Sequence, residues 1–258
     1  MKVGIMAGGL GSRLAEETTI RPKPMVEIGG MPILWHIMKI YSHYGIKDFC
    51  VALGYKGDYI KRWFKDYYSI TGSISVATAT GEVTTHSDRV IQNWNVDLIE
   101  TGRESGTGGR IKKLGPWLGD ETFLITYGDG LADIDIGALL AFHKSHGKLA
   151  TLTAVRPAAR YGHLEIKGDQ ITSFTEKPQL GEGWVNGAFF VLEPGVMDFI
   201  HDESEMFETG ALNRLAEAGE LMAYHHNSFW QCMDTMREKQ ILTDYWAGGD
   251  APWKVWSH

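Results

Sequence analysis

Lys2-Val3-Gly4-Ile5-Met6-Ala7 runs directly into Gly8-Gly9-Leu10-Gly11-Ser12-Arg13-Leu14. The first stretch reads as a buried strand and the second as a glycine-rich turn. In α/β proteins, ligands bind outside the carboxyl ends of parallel strands, where such turns lie. Glycines there let the main chain approach a ligand and aim successive N–H groups at phosphate oxygens. A plain tight turn is the simpler alternative, but three glycines and an arginine between positions 8 and 13 exceed what a turn requires. Two familiar phosphate motifs do not fit. A dinucleotide fingerprint begun at Gly9 and Gly11 needs a third glycine where Leu14 stands, and the Gly-Lys-Ser/Thr ending of a P-loop is missing.

Outward from this turn, short apolar runs alternate with helical stretches. Pro32 suits a helix start, and Ile33, Leu34, Ile37, Met38 and Tyr41 form one apolar face before Gly45. Phe49 to Leu53 then reads as a strand and Tyr59 to Tyr68 as an amphipathic helix, completing a βαβ unit. Further on, Phe123 to Tyr127 and Ala150 to Val155 read as strands around a helix from Ile136 to His146. The stretch from His163 to Leu192 is strand-rich and broken by glycines and prolines. Thr209 to Ala218 and Thr235 to Trp246 read as helices. Nothing resembles a repeat or linker. The expectation is one α/β domain over 1–258, a mixed, mainly parallel sheet flanked by helices.

The 258 residues are 43% hydrophobic and 22% charged, an ordinary globular composition with no apolar run near the ~20 residues of a membrane helix. The start of the chain lacks a signal-peptide pattern and reads as a mature cytoplasmic start. Two cysteines are too few for a disulfide framework, and Cys50, in an apolar run, reads as a buried thiol. Ten histidines show no metal-ligand spacing, and His143 and His146 are expected on a solvated helix face.

A net charge of −7 argues against nucleic acid as a partner. It also means that any site for phosphates needs local cations, amides or a metal. Arg13 is one such cation. Lys23, in Arg21-Pro22-Lys23-Pro24-Met25, is another, because flanking prolines hold it in an extended, low-entropy segment. A solvated turn lysine is the plain alternative.

One carboxylate is a candidate for a metal, and a second reads as structural. Asp129 follows a strand and is flanked by Gly128 and Gly130, though it equally suits a turn cap. Asp234 lies in Trp230-Gln231-Cys232-Met233-Asp234-Thr235, and by local signal it reads as a helix cap. Thr107-Gly108-Gly109-Arg110 opens a helical stretch and offers amides and a guanidinium.

Gly8 to Leu14 followed by Arg21 to Tyr41, with the TYGDG stretch ending at Gly130 and FWQCMDT ending at Thr235, resembles the sugar-nucleotide pyrophosphorylases, the nucleotidyl transferase family. The likeness runs from Lys2 to Lys254. It implies a Rossmann-like fold of the nucleotide-diphospho-sugar transferase type. Within that fold it implies a nucleotide-binding part at about 1–130 and a sugar-phosphate and oligomerisation part at about 131–258. It implies Mg2+ held by Asp129 and Asp234, which with Arg13 and Lys23 form the catalytic set. It also implies a substrate-binding set of Met6, Ala7, Gly8, Gly9, Leu10, Gly11, Ser12, Arg13, Lys23, Ser105, Thr107, Gly109, Arg110, Tyr127, Gly128, Glu176, Lys177, Asn186, Gly187 and Trp230. After Asn186 and Gly187 the family more often has a third residue Gly, where this chain has Ala188.

The implied partners are CTP and glucose 1-phosphate. Uridylyl or thymidylyl transfer to a hexose 1-phosphate, or a non-catalytic nucleotide-sugar-binding subunit, stand as alternatives, since spacing does not separate cytosine from uracil. A homohexamer is also implied, with Trp246, Trp253 and Trp256 as candidate interface aromatics. No general base is expected, because a phosphate monoester with a second pKa of about 6 is already ionised at neutral pH.

Overall fold

A computed structural model describes residues 1–86, 92–157, 163–167, 170–175 and 183–257. Its centre is β1 (Val3–Met6), a wholly buried strand whose residues alternate between two apolar clusters. Val3 and Ile5 face one cluster, where α1 (Ile33–His43) packs. Gly4 faces the other, against Leu114 of α3 (Thr107–Leu118). This two-residue period across a sheet with helices on both faces explains the continuous apolar character of the central strands.

Beside β1 run β2 (Asp48–Leu53) and β4 (Phe123–Tyr127), both parallel to it, and β3 (Asn95–Glu100) lies parallel to β2 at the edge. On the other side come β7 (Val185–Leu192), β6 (Ala150–Val155) and β8 (Leu221–His226). The seven-stranded order is β8-β6-β7-β4-β1-β2-β3, and β7 alone is reversed. Helices α2 (Gly57–Ile70), α4 (Ile136–His146), α5 (Ala211–Glu217) and α6 (Met236–Gly248) complete the layers. The mixed, mainly parallel α/β sheet expected from sequence is what forms.

A small antiparallel ribbon matters more to the site than its size suggests. β5 (Gly130–Ala132) pairs with β9 (Trp230–Cys232), Gly130 opposite Cys232. The ladder continues through the Met233 amide, which donates to the Asp129 carbonyl at 2.8 Å. Two aspartates a hundred residues apart thereby become neighbours.

Two expectations are corrected. His143 is buried, not solvated: its ring nitrogens lie 2.8 Å from Thr151 Oγ1 and 3.0 Å from Glu193 Oε1. His146 likewise reaches the Thr151 hydroxyl. Nor do the C-terminal tryptophans form an exposed surface. Trp253 and Trp256 are buried, and with Trp246 they surround the buried His36 within the same chain. Cys50 is buried as expected, and burial pushes its thiol up to about 11. Among the described residues, no helix is long and apolar enough to cross a membrane.

Candidate active site

The carboxyl end of β1 opens into a cleft of about 500 Å3. One wall is the glycine loop. A Cβ on Gly8 would lie 2.2 Å from the Arg110 guanidinium, so only glycine fits there. Gly11 takes φ 63, a left-handed conformation that turns the chain into the short helix Ser12–Leu14. Among the described residues, the amides of Gly9, Leu10 and Gly11 donate to no protein group. These three residues line the cleft, so three N–H groups stand there with their hydrogen bonds unspent, as an anion cradle requires. Arg13 stands at the mouth, its side chain 71% exposed.

Lys23 comes from beneath this loop. Pro22 is extended as expected, but Lys23–Met25 makes a single helical turn that buries Pro24 and Met25. Pro24 presses on Gly128, where a Cβ would come within 2.9 Å of the proline ring. The main chain is thus fixed while the side chain, only 11% exposed, reaches between two carboxylates. Its Nζ donates to Asp129 Oδ2 at 2.6 Å and also to Asp234 Oδ1. Burial works against the charge, but Asp129 and then Asp234 outweigh it and hold the ammonium above its ordinary pKa.

Asp234 is not the helix cap that its local sequence suggests. Thr235 caps α6, accepting from the Glu238 amide at 3.3 Å, while the Glu238 carboxylate accepts from the amides of Thr235 and Asp234. This capping box leaves the Asp234 carboxylate to pair with Lys23 and, at 2.9 Å, with Arg13. Nor does the Asp129 carboxylate serve as a turn cap: it takes the Lys23 ammonium, while its carbonyl accepts from Met233.

The opposite wall departs from expectation. The amides of Gly106 and Gly108 donate to the carbonyls of Glu203 and Glu205 at 3.0 and 2.9 Å, and that of Gly109 reaches Glu205 at 3.4 Å. The helix start expected to offer amides is therefore consumed by the 203–205 segment. Arg110 is buried, and its guanidinium donates to the carbonyls of Leu53, Gly102, Gly8 and Arg103 and to the Thr101 hydroxyl. It is a post tying the glycine loop, the end of β2 and the 101–103 segment together, although it lines the cleft. The Thr107 hydroxyl donates to Glu208 Oε2 at 2.6 Å, and the Tyr127 hydroxyl donates to the other oxygen of that carboxylate. Burial and then Glu208 raise the Tyr127 pKa, keeping it a phenol.

Of the expected substrate-binding set, Met6, Gly8 to Arg13, Lys23, Ser105, Thr107, Arg110, Tyr127 and Gly128 line this cleft with Asp129 and Asp234. Ala7 and Gly109 lie behind the wall, Ala7 buried and Gly109 packed against the Glu203 carbonyl. Asn186, Gly187 and Trp230 do not line this cleft, although the Asn186 side chain meets Tyr127 at its edge; Trp230 Nε1 donates to the Gly187 carbonyl at 2.8 Å. Glu176 and Lys177 lie outside the described residues.

The nucleotidyl transferase family model matches residues 2–247. The chain belongs to the nucleotidyl transferase family. It is 52% identical to glucose-1-phosphate cytidylyltransferase of Salmonella typhimurium, over 99% of this chain and 100% of that one. A probable glucose-1-phosphate cytidylyltransferase of Bacillus subtilis is 42% identical over the same shares. Among solved structures, HddC from Yersinia pseudotuberculosis complexed with GMP-PN superposes with a TM-score of 0.68 at 25% identity, covering 95% of this chain and 99% of that one.

Nucleotidyl transferase membership gives the cleft's unread residues a context. Sequence reasoning missed Arg103 and Met206, which line the cleft, and Glu208 behind it. Arg103 was findable as a third cation near Ser105. Met206 and Glu208 carried no signal, because they reach the site on a segment a hundred residues past the helix they cover.

The carboxylate pair suits a hard divalent ion. Lys23 already demonstrates that Asp129 and Asp234 take a cation between them, and both offer oxygen only. Cys232 and Glu238 also come near Asp234. Glu238 is committed to the capping box, however, and burial pushes the Cys232 thiol up to about 12, leaving it protonated.

Proposed function

We propose that this protein transfers a cytidylyl group from CTP to α-D-glucose 1-phosphate, giving CDP-glucose and pyrophosphate. The observation that carries the chemistry is the quartet of Lys23, Arg13, Asp129 and Asp234 beside three unspent loop amides. The relatives named above support the choice of CTP and glucose 1-phosphate.

The reaction is a direct in-line displacement at the α-phosphorus. Its barrier comes from repulsion between anions and from charge growing on pyrophosphate, so positioning and fixed charge do the work. Loop amides from Gly9 to Gly11 and the Arg13 guanidinium hold the triphosphate, and Lys23 neutralises the phosphate being attacked or attacking. Asp129 and Asp234 would hold Mg2+, which when bound would supply Lewis-acid stabilisation of the phosphate charge. Asn186 and Gly187, with Glu176 and Lys177, belong to the sugar-phosphate side. The same reading carries a cytoplasmic homohexamer whose product feeds deoxysugar and polysaccharide synthesis, including lipopolysaccharide O-antigen.

A pyrophosphate-release assay with four NTPs against several hexose 1-phosphates tests this. CTP with glucose 1-phosphate should exceed UTP and dTTP by at least about tenfold in kcat/KM, since a site that hydrogen-bonds one base edge leaves its groups unpaired with another. Equal rates with UTP would overturn the base assignment. Absence of pyrophosphate release with every pair would overturn the enzymatic reading.

A further inference from the structure

Lys23 Nζ occupies the space between Asp129 and Asp234, touching Oδ2 of the first and Oδ1 of the second. Arg13 takes the remaining oxygen of Asp234. Two carboxylates are therefore balanced by two cations, and the balance is held where Lys23 and Asp234 are only 11% and 15% exposed. Even with the Glu238 carboxylate within 4.8 Å of Asp234 counted in, a divalent ion added here would leave an unmatched positive charge in a half-buried place, which poor solvation makes unfavourable. It would also meet the ammonium at the very oxygens it needs.

We propose that Lys23 is a built-in counter-ion that competes with divalent metal for the Asp129–Asp234 pair, so that metal enters together with nucleotide phosphates, which take over the lysine's charge. The proposal rests on the reading of those aspartates as the metal ligands. A triphosphate brings the negative charge that the added ion requires. It also gives the displaced ammonium a new partner, because the unspent amides of the glycine loop draw the phosphates into the same cleft. The prolines on either side fix the backbone, with Pro24 wedged on Gly128, so the exchange needs only the lysine's flexible stem to swing. One side chain would thus exclude bare metal and later neutralise phosphate, which couples metal entry to nucleotide entry.

The test is Mn2+ binding to chelator-treated protein, read as loss of the free-ion EPR signal, with no sugar phosphate and no turnover. Lys23→Met should bind Mn2+ at least tenfold more tightly than the natural protein when nucleotide is withheld. Adding CTP should tighten binding to the natural protein and narrow that gap. Adding Asp234→Asn to Lys23→Met should erase the gain, which assigns it to this carboxylate pair. Should Lys23→Met fail to fold, as judged by circular dichroism, Lys23→Gln retains a hydrogen-bond donor between the aspartates and is expected to show the same tightening. Mn2+ binding no tighter in the lysine variants than in the natural protein overturns the proposal. A wrong base or sugar assignment would leave the nucleotide-free isotherms unchanged, so the lysine's competition with metal and the choice of nucleotide fail separately.

Discussion

Arg13 and Arg110 line the same cleft, and each follows a glycine-rich stretch, yet they do opposite things. Arg13 is mostly exposed and makes one ion pair, with Asp234. Arg110 is buried and spends its guanidinium on four carbonyls and a hydroxyl drawn from two loops and the end of β2. The amides divide the same way: those of Gly9 to Gly11 are unspent, while those at the start of α3 are taken by Glu203 and Glu205. A residue type suited to phosphate is thus equally suited to bracing a loop. What separates ligand from scaffold is where its hydrogen bonds already go.

The largest effects should separate the two arginines. Arg13→Ala should lower kcat/KM by two to three orders of magnitude, about 3–4 kcal/mol of transition-state stabilisation, the scale of losing one charge-stabilising donor. Its urea midpoint should barely move, since an exposed ion pair is worth about 0–1 kcal/mol. Arg110→Ala should destabilise folding by roughly 3 kcal/mol or more, because several buried carbonyls lose their donors together. Denaturation and steady-state kinetics on both variants decide the matter. A stable but inactive Arg110→Ala would make Arg110 a ligand after all.

That division also explains what the sequence made legible. Val3–Met6 with its glycine turn, and α1 with its apolar face, are local patterns, and they formed as read. The edge strands Asn95–Glu100 and Leu221–His226 were missed because they are half-exposed and carry Asp97, His225 and His226. The Gly130–Ala132 and Trp230–Cys232 ribbon is too short to show a period, yet it is what joins the two aspartates. Arg110 was legible as a cation but not as a braced one, since its partners sit up to a hundred residues away.

Histidine gives a second way to sharpen the contrast, because His36 lies at the scaffold extreme. Its Nε2 is 2.9 Å from the Ile28 carbonyl, and its Nδ1 faces the Trp253 N–H at 3.4 Å. Protonation would set two N–H groups against each other. Burial lowers its pKa to about 4 despite the Ile28 and Met31 carbonyls. The unfolded chain, with a pKa near ~6.5, therefore binds this proton first as pH falls. The neutral form's stability is fully present above about 6.5 and is lost on acidification toward 4. Between pH 7 and pH 5 the loss is about 2 kcal/mol. In His36→Gln, urea denaturation at the two pH values should show a correspondingly smaller difference. An unchanged difference would mean that another group, such as the His226–Asp133 pair at 3.1 Å, controls acid stability.

The smallest predicted effect is one of rank, and it concerns the acceptor-side motif. Leu152 pairs with Phe190 while Ala154 pairs with Asn186, so Thr153 faces the bulged residues from Gly187 to Phe189. Within the bulge Ala188 adopts φ 64, and the Asn186 side chain accepts from its amide at 2.7 Å. The left-handed conformation is one that glycine adopts without strain, and the Asn186 contact helps to hold alanine in it. An ordinary strand position would favour valine over alanine over glycine. At positive φ a β-branched side chain is worst and glycine best. Ala188→Val should therefore destabilise by about 1–2 kcal/mol. Ala188→Gly should stay within about 1 kcal/mol of the natural protein, because relief of strain is offset by a more flexible unfolded chain. Urea midpoints in the order Gly at or above Ala, with Val lowest, would support a backbone-dictated site. The reverse order would mean that Asn186, Gly187 and Ala188 behave as plain strand, and Asn186 would then be free to turn toward a ligand instead of bracing the bulge.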